Sequence, residues 1–395
     1  MRGLFLEVVQ RRNPKLIEIA VELHQKGLIS PNTYVVDLDM IISNSKAIAQ
    51  KAKKLDIELY FMTKQIGRNP VISKAIVEAG IKKAVAVDPW EAISLSRHGI
   101  EIGHVGHLVQ IPKNMIAQIL MLQPDFVTVF SYENAKNISD AAESMGRRQK
   151  IFLRIANKED YLYNSQEGGF TYEQLTGQIS KLEQLKGIEI AGLTSFPCLL
   201  INGGTPETTS NVESMSKAKE FLKGRGFEKL EMNMPSATST ATLELLKSRG
   251  ATQGEPGHAL TGTTPLHAVK DLAEKPAMIY VSEVSHFYND KAYVFGGGFY
   301  PRSRMQGALI GSTKDNLKYV STIENDPANI DYYGVLDINK AAIGDTVLYA
   351  FRTQIFVTNA QVAVLKNLST NPELIGIYDS KGNEINDTFA GGDHL

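Results

Sequence analysis

The sequence predicts an α/β protein built from a (β/α)8 TIM barrel and a β-rich C-terminal domain. Three observations lead to this prediction. Short apolar runs alternate with amphipathic stretches through the first two thirds of the chain, which is typical of parallel strands joined by helices. Eight such units fit a closed barrel. After about Pro276 the segments become β-branched and aromatic, with Gly, Asn and Asp between them, which indicates a separate β domain.

The eight barrel strands are predicted from the apolar runs. They are expected at residues 58–63, 83–87, 102–107, 126–130, 150–156, 189–194, 229–233 and 251–254. Several helical patterns between them begin with Asn, Asp, Ser or Pro and end with Gly, as capped helices do. The last of these patterns runs from Ser236 to Gly250. A doubly wound open sheet is the alternative, but no G-x-G-x-x-G fingerprint occurs.

Three segments are expected along the chain, because 395 residues exceed one ordinary domain. Residues 1–32 form an N-terminal helical segment. Residues 33–275 form the barrel, with a leading strand at its start. Residues 276–395 form the C-terminal β domain.

The amino-acid composition excludes several classes of function. Hydrophobic residues make up 43% of the chain and the net charge is -1, so no basic excess favours nucleic acid or an anionic membrane. The only cysteine, Cys198, excludes an internal disulfide and a Cys-rich zinc site. No run approaches the ~18 apolar residues of a membrane span. The N-terminus is apolar before it is basic, the reverse of a signal peptide. We therefore expect a soluble cytoplasmic protein that acts on a small molecule.

Chemically useful residues follow three of the predicted strands. Lys64 comes at the end of the first strand, where a desolvated amine can form a Schiff base. Ser236, Ala237 and Thr238 follow the seventh strand and can bind an anion at a helix N-terminus. Glu255 and His258 follow the eighth strand. A loop lysine, an ordinary N-cap and a helix-cap carboxylate are the alternative interpretations of these positions.

The order of elements resembles the fold-type III PLP enzymes of the alanine racemase-like family, from about Thr33 to the last strands. TYVVDLDMIISNSKAI is similar to their leading strand and helix, and YFMTKQIG to their cofactor-lysine segment. LRIA, GLTSF and NMPSATS are similar to their fifth, sixth and seventh strand ends. The resemblance implies an alanine racemase-like fold and the cofactor pyridoxal 5'-phosphate (PLP).

Residue roles follow from the same resemblance. Lys64 would hold the cofactor, and Arg154 would lie near its pyridine hydroxyl. Ser195 stands where racemases usually carry a stacking His. The phosphate would be bound by Ser236, Ala237 and Thr238. Glu255 would meet the pyridine nitrogen, and His258 takes the place of the decarboxylases' Arg, so both are expected to bind cofactor.

A racemase needs a second base besides Lys64, and in the family it comes from the partner's C-terminal domain. His286 is the favoured candidate, followed by Tyr300 and Tyr288. Arg302 can pair with a substrate carboxylate. We therefore predict a homodimeric amino-acid racemase or epimerase that acts through an external aldimine and α-proton abstraction. A PLP-dependent decarboxylase and a PLP-binding protein without catalysis are the alternatives.

No metal is expected. The aldolase and dehydratase group of the family carries a His-x-Cys metal pair near the C-terminus, but the corresponding stretch here reads FRTQI, residues 351–355. His104 and His107 are three residues apart on a predicted strand. Strand alternation would place them on opposite faces.

Overall fold

The computed structural model describes residues 4–299, 305–324, 326, 328–338 and 340–385. The chain divides into two compact units. The barrel unit comprises Lys46–Thr63 and Ile76–Gly257, and the sheet unit comprises Met1–Ser45, Lys64–Ala75 and His258–Leu395. In the described ranges, no helix has the length and apolar character required to cross a bilayer.

The helices and strands follow one another as the alternating pattern predicts. The described α-helices are α1 (Leu4–Arg12), α2 (Pro14–Gln25), α3 (Leu38–Lys54), α4 (Pro70–Glu78), α5 (Pro89–Arg97), α6 (Ile116–Met121), α7 (Tyr132–Ser144), α8 (Tyr172–Leu182), α9 (Ser210–Gly224) and α10 (Leu243–Ser248). The described strands are β1 (Thr33–Asp37), β2 (Glu58–Met62), β3 (Lys83–Ala86), β4 (Ile102–Val105), β5 (Phe126–Val129), β6 (Gln149–Arg154), β7 (Ile188–Thr194), β8 (Leu199–Asn202), β9 (Thr205–Thr208), β10 (Glu231–Asn233), β11 (Gln253–Gly254), β12 (Met278–Tyr288), β13 (Lys291–Phe295), β14 (Gly307–Gly311), β15 (Lys318–Ser321), β16 (Tyr333–Leu336), β17 (Thr346–Tyr349), β18 (Gln361–Lys366) and β19 (Glu373–Tyr378).

Eight parallel strands close the barrel in the order β10-β11-β2-β3-β4-β5-β6-β7. They lie where the sequence predicted them, which confirms the fold class. Aromatic side chains fill the interior, and the rings of Phe126 and Phe152 stack with centroids 4.3 Å apart. Gly103 on β4 leaves room for this packing, because a Cβ there would lie 2.1 Å from the Tyr60 ring. The barrel interior is therefore a packed core.

The sheet unit contains a nine-stranded sheet whose main path is β15-β14-β17-β12-β1-β18-β19, with β13 joining β12 to β16. In this sheet β1 pairs antiparallel with β12 and parallel with β18. The helices α1 and α2 pack against it through side chains such as Leu6 of α1 and Leu23 of α2. We expected β1 to lead the barrel segment. It joins the sheet instead because all five of its residues are buried and need partners on both edges.

The helix predicted from Ser236 is wrong at its beginning, because α10 starts only at Leu243. Ser236 and Ala237 have φ angles of 118° and 49°, which a right-handed helix excludes. Thr242 stabilises the loop, since its hydroxyl donates to the Ala237 carbonyl at 2.6 Å and accepts from the Ser239 N–H at 3.0 Å. These local bonds compete with the helical pattern.

Candidate active site

Glu255 lies just beyond β11 and is completely buried in the barrel unit. Its Oε1 accepts hydrogen bonds from His104 Nδ1 at 2.6 Å and from Asn233 Nδ2 at 3.0 Å. Burial opposes the charged carboxylate, but the fields of His107 and His104 and these hydrogen bonds outweigh it and lower the pKa of Glu255 to about 2. The site therefore contains a buried carboxylate that stays ionised.

His107 approaches the same carboxylate, with Nε2 3.4 Å from Glu255 Oε2. Our alternation argument for His104 and His107 was wrong, because β4 ends at Val105 and Gly106 turns the chain with φ 93°. The two imidazoles consequently stack, with centroids 5.2 Å apart and planes at 26°.

The ligand atoms of His104, His107 and Glu255 all lie within 4.8 Å of one another, a set that suits a divalent transition metal. Two features favour hydrogen bonding instead. The stacked rings are nearly parallel, so their nitrogen lone pairs do not converge on one point. Both ring nitrogens of His104 also have partners, Glu255 and Thr128. The absence of a metal stays a prediction.

The loop after β10 presents backbone N–H groups. Ser236 and Ala237 are in the left-handed region, and the Ser236 hydroxyl donates to the Leu199 carbonyl at 2.6 Å. Within the described ranges, the N–H groups of residues 236–238 donate to no other residue. Successive N–H groups in such a turn form an anion-binding concavity. The anion site expected here is thus a strained loop rather than a helix N-terminus.

Arg154 ends β6 as a buried cation. Its guanidinium donates to the carbonyls of His107 (3.1 Å) and Gln166 (2.6 Å) and stacks over Phe130 at 4.6 Å. Burial lowers its pKa to about 10, so it remains charged. Across the described residues, Arg154 forms no salt bridge with a carboxylate, and its Nε has no hydrogen-bond partner. A buried cation held only by neutral groups favours an anionic or electron-rich ligand.

Ser195 is buried beyond β7. Its hydroxyl donates to the Ile155 carbonyl at 2.8 Å and accepts from Asn211 Nδ2 at 3.0 Å. Nearby Cys198 donates to the Ser195 carbonyl, and burial raises the pKa of its thiol. Ser195 therefore orders the wall of the barrel mouth, and the buried thiol stays protonated.

Lys64 is bonded to Thr63, whose hydroxyl is held by the buried Glu91 carboxylate, and it begins a 3-10 turn ending at Ile66. Within the sheet unit, burial and the charges of Arg352 and Lys64 lower the pKa of His258 well below its ordinary value. His258 Nδ1 lies 3.2 Å from the Thr263 hydroxyl, and its Nε2 has no hydrogen-bond partner among the described residues. A neutral imidazole thus stands among cations.

The second-base candidates belong to the sheet unit. His286 lies on β12, where its Nδ1 is 3.1 Å from the Ser285 hydroxyl and its ring stacks on Tyr293 at 4.7 Å. Tyr288 ends the same strand and is 62% exposed. Tyr300 and Arg302 lie outside the described residues.

Sequence reasoning missed three residues around Glu255, namely His104, Thr128 and Asn233. The sequence signal that could have identified them is a polar residue at an inward-facing position near the carboxyl end of a barrel strand. Thr128 sits in an otherwise apolar strand, FVTV, and Asn233 ends β10. The bonding partners themselves cannot be read from the sequence, because His104 and Glu255 are 151 residues apart.

Comparisons with known proteins agree with this architecture. Residues 36–265 match the family model described as alanine racemase, N-terminal domain, and residues 279–374 the one described as YhfX-like, C-terminal domain. The chain is 39% identical over 391 residues to "Uncharacterized protein YhfX" of Escherichia coli (strain K12), covering 97% of this chain and 100% of that protein.

Solved structures share the fold at low identity. The alanine racemase of Clostridium difficile 630 is 15% identical with a TM-score of 0.65, over 89% of this chain and 99% of that chain. The D-threonine aldolase of Filomicrobium marinum is 14% identical with a TM-score of 0.65, over 89% and 95% of the two chains. These likenesses establish the fold alone.

Proposed function

The chain belongs to the alanine racemase N-terminal domain family, in its YhfX-like branch, and from this premise we propose that it is a PLP-dependent amino-acid racemase or epimerase. The observation that carries the proposal is a pair of buried opposite charges in the barrel unit. Arg154 has no carboxylate partner among the described residues, and Glu255 Oε2 has no described hydrogen-bond partner. The Arg154 guanidinium is costly to bury unless a ligand satisfies it, and Glu255 Oε2, which has His107 Nε2 3.4 Å away, can accept a further donor.

The residues present fit PLP. The loop at residues 236–238 offers a phosphate N–H groups that have no hydrogen-bond partner among the described residues. Gly254 keeps the approach open, since a Cβ there would lie 3.0 Å from the Thr238 methyl group. Glu255 can accept from a protonated ring nitrogen, Arg154 can donate to a ring oxygen, and Lys64 directly follows the end of a barrel strand. His258 is the further candidate for the phosphate.

When bound, PLP supplies an electron sink that stabilises negative charge at the substrate α-carbon. Glu255 strengthens this sink by remaining ionised, because a carboxylate holds a proton on a neighbouring ring nitrogen. Lys64 removes or returns the α-proton at Nζ on one face. Ser195 holds the adjacent wall through Asn211, which restricts water there.

We assign the base of the opposite face to His286, with Tyr300 as the alternative. An imidazole can both accept and return a proton, and the Ser285 hydroxyl and the Tyr293 ring orient this one. The base would come from a partner subunit, so the proposal includes a homodimer. Light scattering of the purified protein tests it, and a monomer at assay concentration would contradict it.

An amino-acid decarboxylase is the second candidate. Glu255 favours it, because a fully ionised carboxylate gives the strong electron sink that loss of carbon dioxide also requires. The two reactions differ in the fate of the carboxylate and the α-hydrogen.

The experiment is absorbance spectroscopy of the protein with PLP, followed by incubation with amino acids in heavy water. Lys64→Ala should abolish the visible cofactor band, whereas the exposed-lysine control Lys82→Ala should retain it. Deuterium at the α-carbon of the recovered amino acid, with both enantiomers present, supports the racemase. An amine product with the original α-hydrogen means decarboxylation. A wild-type protein without a band overturns the proposal.

A further inference from the structure

His104 and Asn233 hydrogen-bond to Glu255, Thr128 hydrogen-bonds to His104, and none of the three has a part in the function proposed above. All three are fully buried and come from β4, β5 and β10. Buried polar groups with complete hydrogen bonding define one arrangement of side chains. This cluster is therefore a candidate for setting the state of Glu255.

The hydrogen bonds of His104 define the positions of its protons. An ionised Glu255 only accepts, so His104 Nδ1 carries the proton of the 2.6 Å bond to Oε1. The other nitrogen, Nε2, lies 2.6 Å from the Thr128 hydroxyl, which both donates and accepts. Thr128 therefore maintains its bond whether His104 is neutral or protonated, and the Nδ1–H stays directed at Glu255 in both states.

Asn233 acts on the same carboxylate oxygen from the other side. Its Oδ1 accepts from the Thr194 hydroxyl at 2.8 Å, which orients the amide so that Nδ2 donates to Glu255 Oε1 at 3.0 Å. The Glu255 backbone N–H is also held, by Thr238 Oγ1 at 3.1 Å. Oε1 thus receives two donors, whereas Oε2 has no described hydrogen-bond partner and has the charged or neutral ring of His107 beside it, with Nε2 3.4 Å away.

We propose that His104 is a positioning residue that, with Thr128 behind it, holds Glu255 so that Oε1 is occupied and Oε2 alone accepts an N–H from the cofactor. This inference rests on the proposed function. Without the Nδ1–H, the carboxylate loses a charge-assisted bond, gains affinity for a proton and holds the proton on the ring nitrogen less strongly. His104 thereby sets the strength of the electron sink without contacting substrate.

The test compares two amide replacements that each copy one half of the imidazole. Asparagine places its nitrogen near the position of Nδ1, and glutamine near that of Nε2. His104→Asn therefore retains the bond to Glu255, and His104→Gln retains only the bond to Thr128. His267→Asn, at a buried imidazole of the sheet unit, controls for the loss of a buried ring.

Each variant is loaded with PLP, its visible absorbance is titrated with pH, and kcat and KM are measured with an amino acid the wild type turns over. We expect the pH midpoint of the band to move by about one unit in His104→Gln and to stay near the wild-type value in His104→Asn and His267→Asn. Catalysis by His104→Gln should fall roughly 10- to 100-fold in kcat with little change in KM.

The outcomes separate this inference from the proposed function. A wild-type protein that shows no cofactor band overturns both. If the wild type shows a band but His104→Gln has the same pH midpoint as the wild type, the inference alone is overturned. It is also overturned if the asparagine and glutamine variants lose kcat equally and the loss tracks their lowered melting temperatures. One equivalent of a transition metal in the purified protein, absent from His104→Gln, would also overturn it and assign the cluster to a metal.

Discussion

Glu255 and His258 stand three residues apart in the sequence, yet their surroundings are opposite. Glu255, in the barrel unit, receives bonds from His104 and Asn233, and its pKa is about 2. His258, in the sheet unit, is affected by burial and then by the cations Arg352 and Lys64, and its pKa is lowered well below the usual value. Burial alone would neutralise both groups. The neighbours decide that the carboxylate stays charged while the imidazole stays neutral.

Of the changes that would test this contrast, removal of the Glu255 carboxylate should have the largest effect on stability. Glu255→Ala leaves His104 and Asn233 without their acceptor, and we expect a loss of about 3–5 kcal/mol in the free energy of unfolding. Denaturant unfolding near pH 7 measures it. Glu255→Gln preserves the shape of the side chain and should cost less, so an equal loss in the two variants would argue against a role for the charge.

The pH dependence of stability should sharpen the contrast. Burial, and then the charge of Arg12, lowers the pKa of His267 to about 4, and the pKa of His258 is lowered in the same direction. Between about pH 6.5 and 4 the unfolded chain binds a proton at His267 that the folded imidazole does not bind. The contribution of the neutral imidazoles to the free energy of unfolding is therefore present above pH 6.5 and lost as the pH falls.

The expected slope from His267 is about 1.4 kcal/mol per pH unit in this window, and His258 acts in the same direction. In denaturant unfolding from pH 7 to 4.5, His267→Leu should reduce the slope of the unfolding free energy against pH by the amount that corresponds to about one proton. The depressed pKa of Glu255 has its effect at lower pH, since its contribution is lost only from about pH 4.3 downwards. An unchanged slope in His267→Leu would contradict the assignment.

The smallest effects should come from a matched pair of hydroxyl deletions. Thr128→Val removes the 2.6 Å partner of His104 Nε2, and Thr263→Val removes the 3.2 Å partner of His258 Nδ1. We expect the first to cost about 1–3 kcal/mol and the second about 1 kcal/mol or less, because the shorter bond supports an imidazole bound to a carboxylate. Thermal and denaturant unfolding measure both. Because Thr263→Val also removes a 2.7 Å bond to Thr261, equal costs would mean that the His104 bond is no stronger than the two Thr263 bonds together.

Much of the fold could be predicted because its signals are local. Apolar runs bounded by turn residues located all eight barrel strands. Capping residues located helix starts, and the structure shows three of these caps: Asn69 accepts from the Ile72 N–H, Asp88 from the Glu91 N–H and Ser131 from the Asn134 N–H. The same local signals misjudged Ser236, where a favourable helix pattern yields to left-handed backbone and side-chain bonds. The place of β1 also escaped them, because strand pairing is not local.

The sequence by itself determined the barrel, the β-rich end and the positions of Lys64 and Glu255 at strand ends, since periodicity and chain order carry that information, whereas the family resemblance singled out Arg154. Only the tertiary structure decided which groups meet. Closure of the barrel pairs β11 with β2, and the turn at Gly106 brings His107 beside His104 at the Glu255 carboxylate. Electrostatic and hydrogen-bond energies depend on distance in space, so residues 151 positions apart determine one another's charge state without leaving a mark in the local sequence.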